Sequence, residues 1–145
     1  MHKLLILTAL LLSCGVSQAG EVLIGETLAI QTLILEAQGE GYEGMVAVGE
    51  VVRNRAFKGS RTFEQVVMAY KQFSCWNDPL ESKSRLSRVS GQTWQVASRA
   101  WYASESTNKT FGATHYHNDK VLPKWARGKR PTVVIGHHLF YKGIN

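Results

Sequence analysis

The chain has 145 residues, which is enough for one domain at the usual size of about 100–200 residues. It is 44% hydrophobic and 19% charged, so it can fill a core, which excludes a disordered tail and a disulfide-stapled miniprotein. Seventeen Lys and Arg against 11 Asp and Glu give a net charge of +6. This charge suits a polyanionic partner, whether nucleic acid, a membrane surface or a bacterial wall polymer.

The first 19 residues have the pattern of an export signal. A start containing Lys3 precedes an apolar stretch over residues 4–16, and the small residues Ser17 and Ala19 stand at positions −3 and −1 before Gly20. The stretch is shorter than the roughly 20 residues that cross a bilayer. We therefore expect a signal peptide over residues 1–19, a domain over 20–145 with charge +5 once Lys3 is lost, and a periplasmic or secreted protein.

Two other interpretations of this segment stay open. Residues 11–14 loosely resemble a lipid-attachment box, which would make the chain a lipoprotein anchored at Cys14. In the second interpretation, the N-terminal segment is a buried helix of the domain. Removal of the signal leaves Cys75 as the sole cysteine, so no disulfide can form within the mature chain. We expect Cys75 to be buried and inert, although a single thiol leaves a catalytic role open.

The remaining sequence predicts helices followed by short strands. Residues 27–38 are apolar nearly all round a helix, which indicates a buried one, and Gly39 and Gly41 end it. Thr62 and Gln65 have the spacing of a capping box. Helices are expected over residues 27–38, 43–55 and 92–104, with a short helix that begins at residue 62. The helix over 43–55 has a polar face of Glu50, Arg53 and Asn54. A loop is expected over 71–89, and strands are expected over 112–117, 132–135 and 138–141. The fold class is mainly α with a small β element (α+β).

Glu36 stands near the end of the apolar first helix. Burial in apolar surroundings raises the pKa of a carboxyl group, and a carboxyl group kept protonated near neutral pH can act as the general acid in glycosidic cleavage. The alternative is an ion pair with Lys or Arg at the helix end. Glu40 would lie beside Glu36 only if the helix continued, and the glycines indicate that it ends. Glu43 suits the start of the next helix.

The histidines and aromatic residues of the last third form a second set of candidates. His115 and His117 would share one side of a strand, and a third histidine from His137 or His138 could complete a zinc site, although no HExxH pattern is present. The aromatic residues there have polar neighbours such as Asn118, which suits either a sugar-binding groove or an ordinary core. A loop at residues 72–78 also mixes aromatic and polar groups, as binding loops do.

Separated blocks of the sequence then resemble the SleB-type cell wall hydrolases, the catalytic domains known from spore-cortex-lytic enzymes. In chain order they are residues 36–40 (EAQGE) with 43–55 (EGMVAVGEVVRNR), Phe63 with Val66 and Val67, residues 72–74 (QFS), 112–118 (GATHYHN), 123–125 (PKW) and 135–141 (IGHHLFY). Their shared order, over about residues 27–142, makes the resemblance specific.

The resemblance implies a lysozyme-like fold that cleaves peptidoglycan between N-acetylmuramic acid and N-acetylglucosamine, as a lytic transglycosylase forming 1,6-anhydro ends. The family's catalytic glutamate matches Glu36, and Glu40 also matches a family position and is a second candidate. The blocks that line the family's groove give the expected substrate residues, which are Gln72, Phe73, Ser74, Tyr116, His117, Asn118 and Trp125.

The expected partner is therefore the glycan strand of peptidoglycan, with no nucleic acid, no stable membrane span, no cofactor and no metal. We expect a monomer and leave open a regulatory protein. Two other functions remain possible: a metal-dependent peptidoglycan amidase or peptidase that uses the histidines, and a non-catalytic wall-binding module.

Overall fold

The computed structural model describes residues 18–144 as helices, short 3₁₀ turns and one sheet. In chain order the regular elements are α1 (Gln18–Ala37), α2 (Gly41–Gly59), α3 (Phe63–Val67), α4 (Pro79–Ser87), α5 (Gly91–Ala103), β1 (His115–Asn118), β2 (Val133–Ile135) and β3 (His138–Tyr141). The mainly α architecture with a small β element is thereby confirmed. No helix in this part of the chain is both long and apolar enough to cross a membrane.

Helices α1, α2 and α5 form the centre of the molecule, and α3 and α4 pack against them. Leu33 and Ile34 of α1, Val48 of α2 and Trp101 of α5 are completely buried in one apolar cluster. The rings of Trp101 and Phe63 meet edge to face with 4.8 Å between their centroids. The second half of α1 is largely buried, which agrees with its apolar sequence, because a helix that is apolar all round has no face to present to water.

The three strands form an antiparallel sheet in the order β1–β3–β2. Tyr116 lies opposite Phe140, and Asn118 lies opposite His138. Phe140 packs with Ala47 and Val51 in a second apolar cluster, so the sheet is held against α2. This contact places Tyr116 of β1 close to the end of α1.

Helix α2 lies at the middle of the fold, and its expected polar face is not solvated. Glu50 is buried and accepts hydrogen bonds from the backbone of Lys109 and Thr110. Arg53 donates to Ser104 Oγ, and Asn54 donates to the carbonyl of Ala113. The polar side of α2 is therefore hydrogen-bonded to residues 104–113, the segment that connects α5 to the sheet.

The prediction of a loop over residues 71–89 is wrong for its second half, where Pro79–Ser87 form α4. Asp78 caps this helix by accepting from the backbone N–H groups of Leu80 and Glu81. Pro79 occupies the first turn, where its missing N–H and fixed φ cost nothing. The proline therefore marks a helix start rather than a loop.

The other helices match the sequence with shifted ends. The capping box between Thr62 and Gln65 is present, with both reciprocal hydrogen bonds formed. A 3₁₀ turn over Gln38–Glu40 separates α1 from α2, and Gly41 has φ of 69°, so the glycine break is confirmed. The described part of α1 begins at Gln18, nine residues before the predicted start at Thr27 and two before the predicted cleavage site at Gly20. The rest of the predicted signal, with Cys14, lies outside the described residues.

Candidate functional site

A cleft of about 410 Å³ opens between the end of α1, the 71–76 loop and strand β1. It brings together residues that are distant in the sequence, and five of them were expected at the substrate site. Its lining consists of Glu36, Arg55, Lys71, Gln72, Ser74, His115, Tyr116, His117, Pro123 and Trp125. Glu36 is the one carboxylate among these lining residues of the described chain.

The Glu36 carboxylate is half-buried and held by hydrogen bonds to both oxygens. Oε1 accepts from the backbone N–H of Cys75 at 3.0 Å and from the hydroxyl of Ser74 at 3.4 Å. Oε2 accepts from the hydroxyl of Tyr116 at 2.9 Å. These contacts fix the orientation of the carboxylate at the cleft, as proton transfer to a bound substrate requires.

The 3₁₀ turn Ser74–Trp76 presents two of these donors, and it is fixed on two sides. The indole N–H of Trp76 donates to Thr32 Oγ1 of α1 at 2.9 Å. The hydroxyl of Ser82 in α4 donates to the carbonyl of Cys75. Helix α4, which the sequence did not reveal, therefore supports the loop that positions Glu36.

Two titratable groups beside Glu36 stay protonated. Burial raises the pKa of Tyr116 well above its usual 10.0, and the nearby Glu36 carboxylate adds to the effect. Burial and the same carboxylate also raise the pKa of the Cys75 thiol. Since the thiolate is the nucleophilic form, Cys75 is unsuited to nucleophilic catalysis. It is buried and free, as expected from the sequence.

An aromatic wall lines the side of the cleft opposite the 71–76 loop. Trp125 lies 5.2 Å from His115, 5.7 Å from His117 and 5.3 Å from Tyr141, measured between ring centroids. His117 Nε2 lies 2.9 Å from the hydroxyl of Tyr141. His117 and Trp125, two of the expected substrate residues, therefore both belong to the cleft lining.

Two of the expected substrate residues lie away from the lining. Phe73 is 2% exposed and belongs to the core beneath the cleft, where its ring supports Tyr116 at a centroid distance of 6.4 Å. The side chain of Asn118 accepts from the backbone N–H of Lys120 and so stabilises a turn. Phe73 supports the cleft from below, and Asn118 shapes the turn that follows β1.

Glu40 is not part of the cleft lining either. Its Oε2 accepts from the backbone N–H of His137 at 2.7 Å, and the His137 ring lies 3.2 Å away. This backbone hydrogen bond lowers the pKa of Glu40 below its usual 4.5. Glu40 therefore joins the α1–α2 junction to the turn between β2 and β3.

The four histidines of the described residues lie in different surroundings. His115 and His117 face Trp125, His137 is bound to Glu40, and His138 is 5% exposed with its ring 4.9 Å from that of Tyr116. Within residues 18–144, no three His, Cys, Asp or Glu side chains lie together in an arrangement that could hold a metal ion. The zinc site considered from the sequence has no counterpart in this part of the chain.

The sequence does not mark Arg55, Lys71 and Pro123 as cleft residues, and it leaves His115 open between a metal site, an aromatic-lined groove and the surface. Arg55 lies on α2, and its Nε donates to the carbonyl of Thr114. The available signal is its position directly after Arg53 and Asn54, on a helix otherwise rich in Val and Ala.

Comparison with known proteins places the chain in a family. Residues 39–141 match the model of the family described as Cell Wall Hydrolase. The chain belongs to this family. The crystal structure of the catalytic domain of the Bacillus cereus SleB protein matches with a TM-score of 0.66 and 24% sequence identity, covering 81% of this chain and 89% of that one. No curated protein matches the chain.

These comparisons confirm the SleB-type family and the fold class expected from the sequence. The chain is accordingly a peptidoglycan-degrading enzyme that works outside the cytoplasm. The family match begins at residue 39 and so excludes Glu36 itself. The role of that glutamate therefore has to be argued from the cleft.

Proposed function

We propose that the chain is a lytic transglycosylase, which cleaves the glycan strand between N-acetylmuramic acid and N-acetylglucosamine with Glu36 as its acid and base. The observation that carries the proposal is the position of Glu36, the one carboxylate among the described cleft-lining residues, with both its oxygens oriented by hydrogen bonds. Glycosidases that use water or a covalent intermediate need two carboxyl groups across the scissile bond. A single carboxyl group suits a reaction in which the sugar supplies its own nucleophile.

The proposed reaction begins when Glu36 donates a proton to the glycosidic oxygen. The bond from that oxygen to C1 of the muramoyl unit breaks, and N-acetylglucosamine leaves with a free 4-hydroxyl. The 6-hydroxyl of the muramoyl unit then attacks C1 and returns its proton to Glu36. The products are a 1,6-anhydro end and a regenerated acid, so no water is consumed.

The neighbours of Glu36 support this cycle. Tyr116 stays protonated, so its hydroxyl continues to stabilise the carboxylate after the proton has left. The N–H of Cys75 and the hydroxyl of Ser74 stabilise the other oxygen. In this proposal Trp125 and His117 bind a sugar ring, Gln72 contacts the glycan and Glu40 holds the β2–β3 turn.

The test is mass spectrometry of the soluble products released from purified peptidoglycan. Glu36→Gln keeps the size of the side chain and removes the transferable proton, so we expect activity to fall about 10²–10⁴-fold, as general acid catalysis contributes. Glu21→Gln, an exposed site in the same helix, is the matched control and should remain fully active. The unsubstituted chain should release anhydro ends; reducing ends would make it a muramidase, and an active Glu36→Gln would refute the mechanism.

The proposal includes export with cleavage before Gly20. Cleavage would remove Gln18 and Ala19 from the described part of α1, and every cleft residue would remain. N-terminal sequencing of the protein recovered from the periplasm or medium should give Gly20. A chain that retains Met1 in the cytoplasm would contradict export, whereas a lipid-modified start at Cys14 would indicate a lipoprotein.

A further inference from the structure

Arg55 is a buried cation in the cleft whose hydrogen-bonding capacity is only partly used. Its side chain lines the cleft and is 8% exposed. Nε donates to the carbonyl of Thr114, and the guanidinium carbon lies 4.9 Å from the centre of the Phe73 ring. Nη1 is buried and has no hydrogen-bond partner among the described residues. A buried donor left unpaired is costly, so a side-chain adjustment that brought Nη1 to a ligand oxygen in the cleft would relieve the cost.

A second cation lines the same cleft. Lys71 belongs to the lining together with Gln72. His115 also lines the cleft, and burial lowers the pKa of its ring, with a further lowering by the charges of Arg55, Lys129 and Lys58. Glu36 is the one carboxylate in the lining described above.

We propose that Arg55, together with Lys71, forms a carboxylate-binding subsite that takes an acidic group carried by the muramoyl unit of the substrate. A guanidinium forms strong hydrogen bonds with carboxylate oxygens, and the neighbouring lysine adds attraction without fixed geometry. The muramoyl unit offers such a group in two forms: the lactyl carboxylate of peptide-free glycan and the carboxylates of an attached stem peptide. N-acetylglucosamine offers none, so the subsite would fix the direction in which the strand binds.

This inference rests on the proposed function, because it takes the glycan strand as the ligand of the cleft. It differs from a purely structural role for Arg55, which its bond to Thr114 would also permit. A structural role predicts equal effects on acidic and neutral ligands. A carboxylate subsite predicts that the effects depend on the charge of the ligand.

The experiment measures binding by titration calorimetry to the Glu36→Gln chain, so that the ligand is not consumed. The probes are three N-acetylglucosamine–N-acetylmuramic acid tetrasaccharides: one with free lactyl carboxylates, one with these converted to neutral methylamides and one with stem peptides attached. We expect an acidic tetrasaccharide to bind roughly 10- to 100-fold more tightly than the neutral one, because a hydrogen bond to a charged group contributes about this factor to an affinity. Tighter binding of the lactyl or of the peptide form identifies the source of the carboxylate.

Variants assign the preference to the cations. Arg55→Gln should abolish it, and circular dichroism would establish that this variant is folded. Lys71→Gln and Lys71→Glu are substitutions at an exposed position that should each reduce the preference a few-fold or more, which keeps the test valid if Arg55→Gln does not fold. Lys83→Gln, exposed on α4 and outside the cleft, is the matched control and should retain it.

The outcomes separate the two proposals. Equal binding of the acidic and neutral tetrasaccharides would overturn the subsite and leave the proposed function standing. A preference that survives in folded Arg55→Gln and in both lysine variants would also overturn it. Failure of all three probes to bind would contradict the subsite and the proposed function together.

Discussion

The Glu36 carboxylate is oriented by groups that lie far along the chain, Ser74 by 38 positions and Tyr116 by 80. Its place on an apolar helix is visible in the sequence, because the helical period and the glycine break locate it. Its partners are not visible, since a backbone N–H such as that of Cys75 carries no sequence signature. A candidate acid can be predicted from local pattern, whereas the groups that orient it need the tertiary structure.

Removal of the Tyr116 hydroxyl tests this orientation. Tyr116→Phe keeps the ring contacts with Phe73 and Phe140 but removes the donor to Glu36 Oε2. We expect kcat to fall roughly tenfold or more, the value of a hydrogen bond to a charged group, with little change in KM. An unchanged kcat would make the contact incidental to catalysis.

Glu40 is the glutamate whose contacts point to a structural role. Glu40→Gln weakens the hydrogen bonds to His137, so we expect a loss of about 1–3 kcal/mol in the free energy of unfolding. Activity at a temperature where the variant is folded should stay within a few-fold. Glu43→Gln, which removes an exposed ion pair with Lys109, should change stability much less. A stable but inactive Glu40→Gln would assign the catalytic role, or a share of it, to Glu40.

At the scale of elements, local signals predicted the helices well and failed at one of them. The capping box at Thr62 and the apolar period of α1 are complete within a few residues, so sequence alone locates them. Helix α4 has few apolar residues and is held by contacts such as that of Arg85 with the carbonyl of Leu35. Tertiary contacts stabilise it, and a periodicity argument cannot detect them.

The turn between β2 and β3 contains a glycine with two constraints. Gly136 has φ of 58°, and a Cβ at this position would collide with the Glu40 carboxylate. Gly136→Ala should therefore lower stability by more than the roughly 1 kcal/mol that left-handed backbone costs a residue with a Cβ. Gly128→Ala is the matched control, because Gly128 has φ of 72° and open space around its Cβ position. Thermal melting of both variants would measure the difference, and equal losses would show that the Glu40 contact adds nothing.

At the scale of the whole molecule, the net charge of +6 is readable from composition, but its distribution is not. The fold places Arg55 and Lys71 in the lining of the same cleft as Glu36. The sequence predicted a polyanionic partner and a candidate acid as separate facts. The structure places the candidate acid and two of the cations in one cleft, as the proposed function requires.

The buried histidines connect this charge distribution to stability. Burial lowers the pKa of His138 below its usual 6.5, and the charge of His137 lowers it further. The carboxylates of Glu40, Glu36 and Asp119 act in the opposite direction and raise it. Burial also lowers the pKa of His115. Between each lowered value and 6.5, the unfolded chain binds a proton that the folded chain does not. The free energy of unfolding therefore rises with pH across that interval.

We accordingly expect full stability above about pH 6.5 and a falling melting temperature as the pH drops through the folded pKa values of the two histidines. Glu40 extends the loss to lower pH, because its folded pKa is below 4.5 and its stabilising effect disappears as it is protonated. His138→Phe removes one titrating group and leaves an aromatic ring beside Tyr116 and Phe140. Its melting temperature, measured by calorimetry from pH 8 to pH 5, should depend less on pH than that of the unsubstituted chain. A variant with the same or a steeper dependence would show that His138 does not carry the acid sensitivity.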